Sequence, residues 1–316
     1  MNADPQKGRD PQGDQRHGPI DPHRVFHNTG PHQHRFRGIG QDAAHHRHRP
    51  GHGDLGGLQG RSVRRAADNP RDAHVPGENV KFTFLPLAST LADGEHSLTL
   101  KTADGRTDNA VVKSVKRSEY DTQTLIISAE DTPALNDAFS QKALDDFNVL
   151  VSKYTDESVN EKLYDGKFEY PTNTSKVVKG GATYGMTRTV MSLNSAGISY
   201  VSHGQDLECY KGQSIKAANG GKVVFAGETS LLGNTVIVDH GFSILSYYGN
   251  LDSISVKVGD EVKKADTEIG KAGSTGFACV LDGAKAKSSV LCHYAVSLNG
   301  IFIAPKSVYN GIYLKY

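Results

Sequence analysis

The sequence predicts a mainly β protein with a small β-sandwich, a helical connector and a C-terminal β-sheet domain. Three observations carry this. From Val80 to about Arg117, apolar residues alternate and Asp-Gly pairs punctuate the pattern. Between Asp131 and Asp165 the apolar residues recur at three- and four-residue steps. Near the C-terminus, Ser202-His203-Gly204-Gln205-Asp206-Leu207 and Leu291-Cys292-His293-Tyr294 read as two strands with polar, chemistry-bearing positions at alternate places.

Composition sets the limits within which these elements are read. A chain of 316 residues with a formal net charge of +1 has room for two domains and presents no global surface for nucleic acid. Three cysteines, Cys209, Cys279 and Cys292, are too few for a disulfide framework, though one bridge, Cys279 to Cys292, is compatible with the count. No apolar run approaches the ~18 residues of a membrane helix. The first residues do not read as a signal peptide either.

Residues 1–79 differ in composition from the rest. They hold ten of the 14 His and eleven Arg against a single Lys, whereas the remainder holds 21 Lys and three Arg. Apolar residues there are scarce and unperiodic, so the segment cannot bury enough surface to offset its ordering entropy. A disordered His/Arg-rich extension is expected; the competing reading is a metal-binding tract at His45-His46-Arg47-His48.

Residues 80–128 follow as a β module. Val80, Phe82 and Phe84 share one face, Leu98 and Leu100 follow the Asp93-Gly94 turn, and Val111, Val112 and Val115 follow Asp104-Gly105. Tyr120 to Ile127 is expected to be the last strand, leaving the module. Residues 129–165 form the connector. Thr132-Pro133 supplies an N-cap residue and a first-turn proline, and Leu135, Ala138, Phe139, Leu144, Phe147 and Leu150 recur at helical steps, as one helix or two. Asp145-Asp146 is read as a solvated helix face, since no acidic or His partner stands at helical spacing.

In residues 166–316, strand alternation puts Ser202, Gly204 and Asp206 on one face and Leu291 with His293 on another. Two such faces looking at each other across a groove would offer a carboxylate and an imidazole to one point, half of a zinc site. Further segments follow in order: Ala217-Ala218-Asn219-Gly220-Gly221-Lys222-Val223-Val224, Gly233-Asn234-Thr235-Val236-Ile237-Val238-Asp239-His240-Gly241, Tyr248-Gly249-Asn250-Leu251, Val258-Gly259-Asp260-Glu261-Val262, Ile269-Gly270-Lys271-Ala272-Gly273-Ser274-Thr275-Gly276 and Asn299-Gly300 with Pro305. This series resembles the M23 (LytM-type) zinc metallopeptidases, which cut peptidoglycan cross-bridges, over about 166–310. The resemblance implies an antiparallel β-sheet domain with a groove, and an Ig-like character for the preceding β module.

The resemblance also implies a site, which this sequence keeps only in part. Family members hold zinc with the His and Asp of an H-x-G-x-D segment and the second His of H-x-H. Asp206 and His293 match two of these positions, while Ser202 stands at the first ligand position. His203 is one residue late, and a one-step slip reverses the face of a regular strand. A bulge near Gly204 would turn it back as a shifted third ligand. The family's two catalytic His positions are occupied by Asn250, which cannot exchange a proton near neutral pH, and by Leu291, which can neither bond nor exchange. Tyr184 and Arg188 resemble the aromatic and Arg that frame the groove, and Tyr248 belongs to the same framing set. His240 resembles a His outside the ligand set, expected near the groove in a structural, hydrogen-bonded role. Cys292 and Cys209 read as thiols on the opposite face, with a Cys-containing replacement zinc site as the alternative.

The function implied is a degenerate peptidase domain, catalytically inactive, with zinc weakly bound or absent. It would bind peptidoglycan or a protein partner in the cell envelope or outside the cell. The alternative is an active zinc-dependent peptidoglycan endopeptidase completed by His203. A third reading is a purely structural envelope domain.

Overall fold

The computed structural model describes residues 73–74, 81–82, 84–101, 107–115, 119–128, 140–192, 195–276, 279–282 and 285–311. Apart from Ala73–His74, the expected extension 1–79 lies outside the described residues, as does the expected helix opening at Thr132-Pro133. In chain order the strands are β1 (Ala73–His74), β2 (Lys81–Phe82), β3 (Gly94–Lys101), β4 (Thr107–Val115) and β5 (Thr122–Ile127). Helix α1 (Gln141–Asp156) follows, then β6 (Thr187–Ser192), β7 (Ser195–Val201), β8 (Gly204–Glu208), β9 (Ser214–Lys216) and β10 (Gly221–Thr229). Next come β11 (Gly233–Asp239), β12 (Ile244–Ile254), β13 (Glu261–Val262) and β14 (Glu268–Ala272). The chain closes with β15 (Cys279–Asp282), β16 (Lys285–Ser288), β17 (Leu291–Leu298), β18 (Ile301–Ile303) and a short helix α2 (Pro305–Tyr309).

The protein is mostly β, as the alternation predicts. Strands β3 and β4 pair as an antiparallel hairpin, and β1 with β2 as a short ribbon. The strand read as leaving this module, β5, instead joins a second sheet of order β15-β16-β5-β6-β7. It pairs in parallel with β6, Thr124 opposite Thr189 and Ile126 opposite Met191. Sequence alternation locates such a strand but cannot name its neighbour, because pairing partner and direction are tertiary properties.

A nine-stranded antiparallel sheet carries the rest. Its middle is β12, whose first half pairs with β17 and whose second half pairs with β14. The other edge of β17 pairs with β8 and β18. One face of this sheet covers the main core, with Leu207, Val236, Val238, Tyr248, Leu251, Cys292, Tyr294 and Val296 packed together. The opposite face is covered in part by α1, which lays Phe147 and Val151 on Ile237, Leu245, Tyr247, Ala295 and Phe302. Burying these two helix side chains contributes about 1.5–3 kcal/mol each, so α1 is fastened to the sheet by packing.

The helix begins at Ser140, whose side chain accepts a hydrogen bond from Ala143 N at 3.1 Å. Its exposed face carries Asp145 and Asp146, bonded locally to Gln141 and Lys142. At its other end, Ser158 Oγ and Val159 N donate to the buried Asp239 carboxylate at 2.7 and 3.1 Å, which pins the connector to the end of β11.

A candidate site on the uncovered part of the sheet

The site grows out of strand register. Asp206 on β8 lies directly opposite His293 on β17, and His293 lies directly opposite Gly249 on β12. Directly paired residues project to the same face of a sheet. Asp206 and His293 are therefore cross-strand neighbours within one sheet, and the expectation that they look at each other across a groove is corrected. His293 Nδ1 donates to Asp206 Oδ1 at 2.8 Å.

The Asp206 carboxylate is occupied on both oxygens. Oδ2 accepts from Ala182 N at 2.7 Å and faces the Arg188 guanidinium at 3.8 Å. Arg188 is 1% exposed. Its Nε donates to Gln123 Oε1 at 2.6 Å, and its terminal nitrogens donate to Tyr200 OH at 3.3 Å and Gly180 O at 3.5 Å. The buried carboxylate thus meets a buried cation, an arrangement that offsets desolvation only because both partners are bonded further. Gln123 comes from β5, so the second sheet helps to build the site.

The remaining expected positions fall as follows. Ser202 sits at the corner between β7 and β8, is buried, and donates its hydroxyl to Gly204 O at 3.1 Å. His203 lies at the same corner, ahead of the first paired residue of β8. Its ring stacks on Phe302 with centroids 4.3 Å apart and planes 10° apart. Packing and the neighbouring His293 push its pKa down to about 4, so it is neutral at neutral pH. Among the described residues, no group of three or more His, Cys, Asp or Glu gathers to hold a metal, and His203 does not complete one with Asp206 and His293.

Asn250 lies in a bulge of β12. Tyr248 is opposite Val236 and Leu251 is opposite Asn234, so β12 carries one extra residue between them. Asn250 occupies that irregularity at φ +62°. Its Oδ1 accepts from Gly276 N at 2.9 Å, which ties two loops together. Leu291 is fully buried, with Val178 packed against it.

Tyr184 donates its hydroxyl to Phe302 O at 3.0 Å, and burial pushes its pKa up to about 12. Its neighbour Gly185, at φ +82°, lets the Tyr120 ring approach so closely that a Cβ would stand 2.3 Å from it. Tyr248 and His240, read as groove residues, are fully buried in the core under the opposite face. Ala218 N donates to Tyr248 OH at 2.8 Å. His240 Nδ1 donates to Gly220 O at 2.6 Å, and its Nε2 lies 2.7 Å from Ser246 Oγ. Cys209 and Cys292 are free thiols, so the Cys279–Cys292 bridge does not form.

One element of the site escaped the sequence pattern. Residues 176–182 run along the free edge of β8: Val178 N donates to Asp206 O, Glu208 N to Lys176 O, and Asp206 N to Ala182 O, at 2.8–2.9 Å. This segment supplies both the Ala182 donor and the Val178 side chain over Leu291. The Val177-Val178 pair with Gly180-Gly181 was the one available signal, and two apolar residues are too short a run to count as a strand.

These donors do not fit a catalytic zinc. Two ligands on one tetrahedral zinc at ~2.0–2.1 Å stand about 3.4 Å apart and both offer lone pairs. Here the two share a proton, the carboxylate charge is met by Arg188, and Ser202, Leu291 and Asn250 contribute no third ligand.

Comparison with known proteins finds a family match in the C-terminal part of the chain. The sequence pattern described as Peptidase family M23 matches residues 200–305. The chain is 34% identical over 101 residues to "Lipoprotein NlpD" of Yersinia enterocolitica, covering 32% of this chain and 93% of that protein. It is 43% identical over 74 residues to "Outer membrane antigenic lipoprotein B" of Histophilus somni, spanning 23% of this chain and 22% of that protein. To "Murein hydrolase activator NlpD" of Escherichia coli (strain K12) it is 34% identical over 103 residues, 32% of this chain and 24% of that protein. Among solved structures, the catalytic domain of the prophage-encoded M23 protein EnpA from Enterococcus faecalis aligns with a TM-score of 0.32 at 24% identity, over 43% of this chain and 95% of that one. On the strength of the Yersinia relative, matched over nearly its whole length, the chain belongs to peptidase family M23.

Proposed function

We propose that the M23 domain of this protein is catalytically inactive and acts by binding, to peptidoglycan or to a protein partner in the cell envelope. The observation that carries the reading is the Asp206–His293 hydrogen bond backed by Arg188, together with a buried Leu291 where the family has a catalytic His. A site without a third ligand, and with Asn250 and Leu291 where the family has its catalytic His residues, lacks the metal and the His assistants by which the family activates water. The names of the relatives support the direction: one is a murein hydrolase activator, and others are lipoproteins of the outer membrane. By that likeness, this domain would recruit or switch on a separate hydrolase in the envelope. Residues 80–128 and 129–165 would serve as module and connector that present it, with 1–79 an accessory extension.

The rival is a zinc endopeptidase in which His203 is the third ligand. Its ring is stacked on Phe302, and among the described residues it does not gather with Asp206 and His293 into a metal-holding group.

Pelleting of the full chain with purified sacculi, with and without chelator, tests the proposal when released fragments are followed in parallel. Co-sedimentation that chelator leaves unchanged, without fragment release, is expected. Chelator-sensitive release of fragments would contradict it, and so would a chain that neither pellets with sacculi nor stimulates an envelope hydrolase.

A further inference from the structure

We propose that β7 is a docking edge whose partner is a second copy of this chain, paired antiparallel to it around Ser199. The proposal goes beyond the reading of the M23 domain as inactive and does not depend on it.

Strand register defines the edge. In the sheet of order β15-β16-β5-β6-β7, β7 stands last, with β6 on one side only. Thr187 N donates to Asp121 O, on the β5 side of β6, whereas Ser202 N donates to Met186 O, across the β6–β7 pair. Backbone groups of successive strand residues point to opposite sides in the plane of the sheet. Thr187, Thr189 and Met191 therefore serve β5, while Arg188 and Val190 bond to Tyr200 and Ile198, which lie opposite them. This leaves the N–H and C=O groups of Gly197, Ser199 and Val201 aimed away from the sheet. Among the described residues, no strand and no backbone hydrogen bond meets them there.

Such a row is a template for another strand, and sheet proteins ordinarily block it with Lys or Pro. Here the block is missing, since Thr189 to Ser202 contains no charged residue and no proline. The apolar face also runs out to the edge uncovered. Ile198 is 40% exposed, although Val190, directly opposite it on β6, is only 8% exposed.

Self-complementarity selects the occupant. In an antiparallel pair centred on Ser199, each Ser199 meets its own counterpart, Gly197 meets Val201, and Ile198 meets Tyr200. The free groups at 197, 199 and 201 then bond reciprocally across the two-fold axis. Each half-exposed Ile198 gains a Tyr200 ring opposite it, a β-branched and aromatic pair of the kind that stabilises sheets. A two-fold contact sets identical patches against each other, and an uncharged run does so without repulsion. The product is one continuous sheet, five strands from each copy, carrying two M23 domains. One strand edge is a small contact beside the about 800 Å² per partner of a standard interface, so the dimer should dissociate on dilution.

Sedimentation of the full chain, from dilute to concentrated solution, tests this with wild type, Ser199→Lys, Ser199→Asp and an equal mixture of the two variants. Ser199 is exposed, and each variant sets like charges directly opposite each other at the two-fold axis. The expected result is a concentration-dependent wild-type dimer and a dissociation constant about fivefold or more higher for either variant alone. The mixture, with Lys opposite Asp, should dimerise again. A wild type that stays monomeric at every concentration would overturn the proposal, even if a strand of another protein were found on β7. Dimerisation unchanged in both variants, or no recovery in the mixture, would overturn it as well. Should the variants fail to fold, hydrogen exchange of wild type decides: the Ser199 and Val201 amides should be protected in concentrated solution and lose protection on dilution, and equal exchange at both concentrations would refute the pairing.

Discussion

Replacing Arg188 with methionine removes the cation beside Asp206 while keeping much of the volume. At 3.8 Å, two opposite charges attract by about 4 kcal/mol at an effective dielectric constant of ~20. Breaking a buried pair from one side costs about 3–5 kcal/mol, because the surviving charge stays buried without its partner. Arg188→Met also frees Gln123 Oε1, which accepts from Nε at 2.6 Å, so the single variant overstates the pair. A double-mutant cycle with Asp206→Asn isolates it. Asparagine carries no charge and keeps one oxygen, which accepts from Ala182 N or from His293 Nδ1 but not from both. Urea unfolding of the four proteins should give Arg188→Met a loss of about 3–5 kcal/mol, partly recovered in the double variant, with a coupling of about 2–4 kcal/mol. A coupling under ~0.5 kcal/mol, the level of independent sites, would refute the claim that Arg188 stands in for a metal as the counter-charge of Asp206.

Three further outcomes are expected. Leu291→Ala should lower stability by about 2–5 kcal/mol, since Leu291 is fully buried under Val178 and the site would collapse only in part; an unchanged denaturation midpoint would show that Leu291 is not a plug. His240 is buried neutral, with burial pushing its pKa down to about 4. The unfolded chain therefore binds the extra proton between pH ~6.5 and that value, so stability present above pH ~6.5 is lost as pH falls toward 4. His240→Gln should flatten that part of the melting temperature–pH profile, and an identical slope in the variant would contradict the assignment. Ser202→His should raise zinc affinity in a chelator competition by adding a third ligand beside Asp206 and His293, whereas equal affinity in wild type and variant would mean that the native chain already has a complete site.

Much of this was legible in the residues. Alternation in Gly204-Gln205-Asp206 and Leu291-Cys292-His293 put Asp206 with His293 and Leu291 on matching faces, because register against a buried core fixes which side chains point which way. The same rule failed at β12. Strict alternation puts Tyr248 and Asn250 on one face, but the extra residue there leaves Tyr248 in the core and turns Asn250 toward the loop at Gly276. A bulge that depends on loop packing around Leu232 and Gly276 leaves no local signature. The helix Gln141–Asp156 was visible from its spacing, whereas its serine cap at Ser140 leaves no apolar trace. The counter-charge network was the least legible. Gln123 and Arg188 stand far apart in sequence and are brought together by the parallel β5–β6 pairing, while Asp206 comes from β8 of the other sheet.

The central claim is that this site holds its own donors in place of zinc. Zinc stoichiometry of the full chain decides it most directly, measured by elemental analysis after loading with zinc and dialysis against a mild chelator. The account predicts zinc far below one per chain, no cleavage of sacculi, and a melting temperature unaffected by the metal. One zinc per chain retained through dialysis, with cleavage that a strong chelator abolishes, would contradict it and make His203 the third ligand.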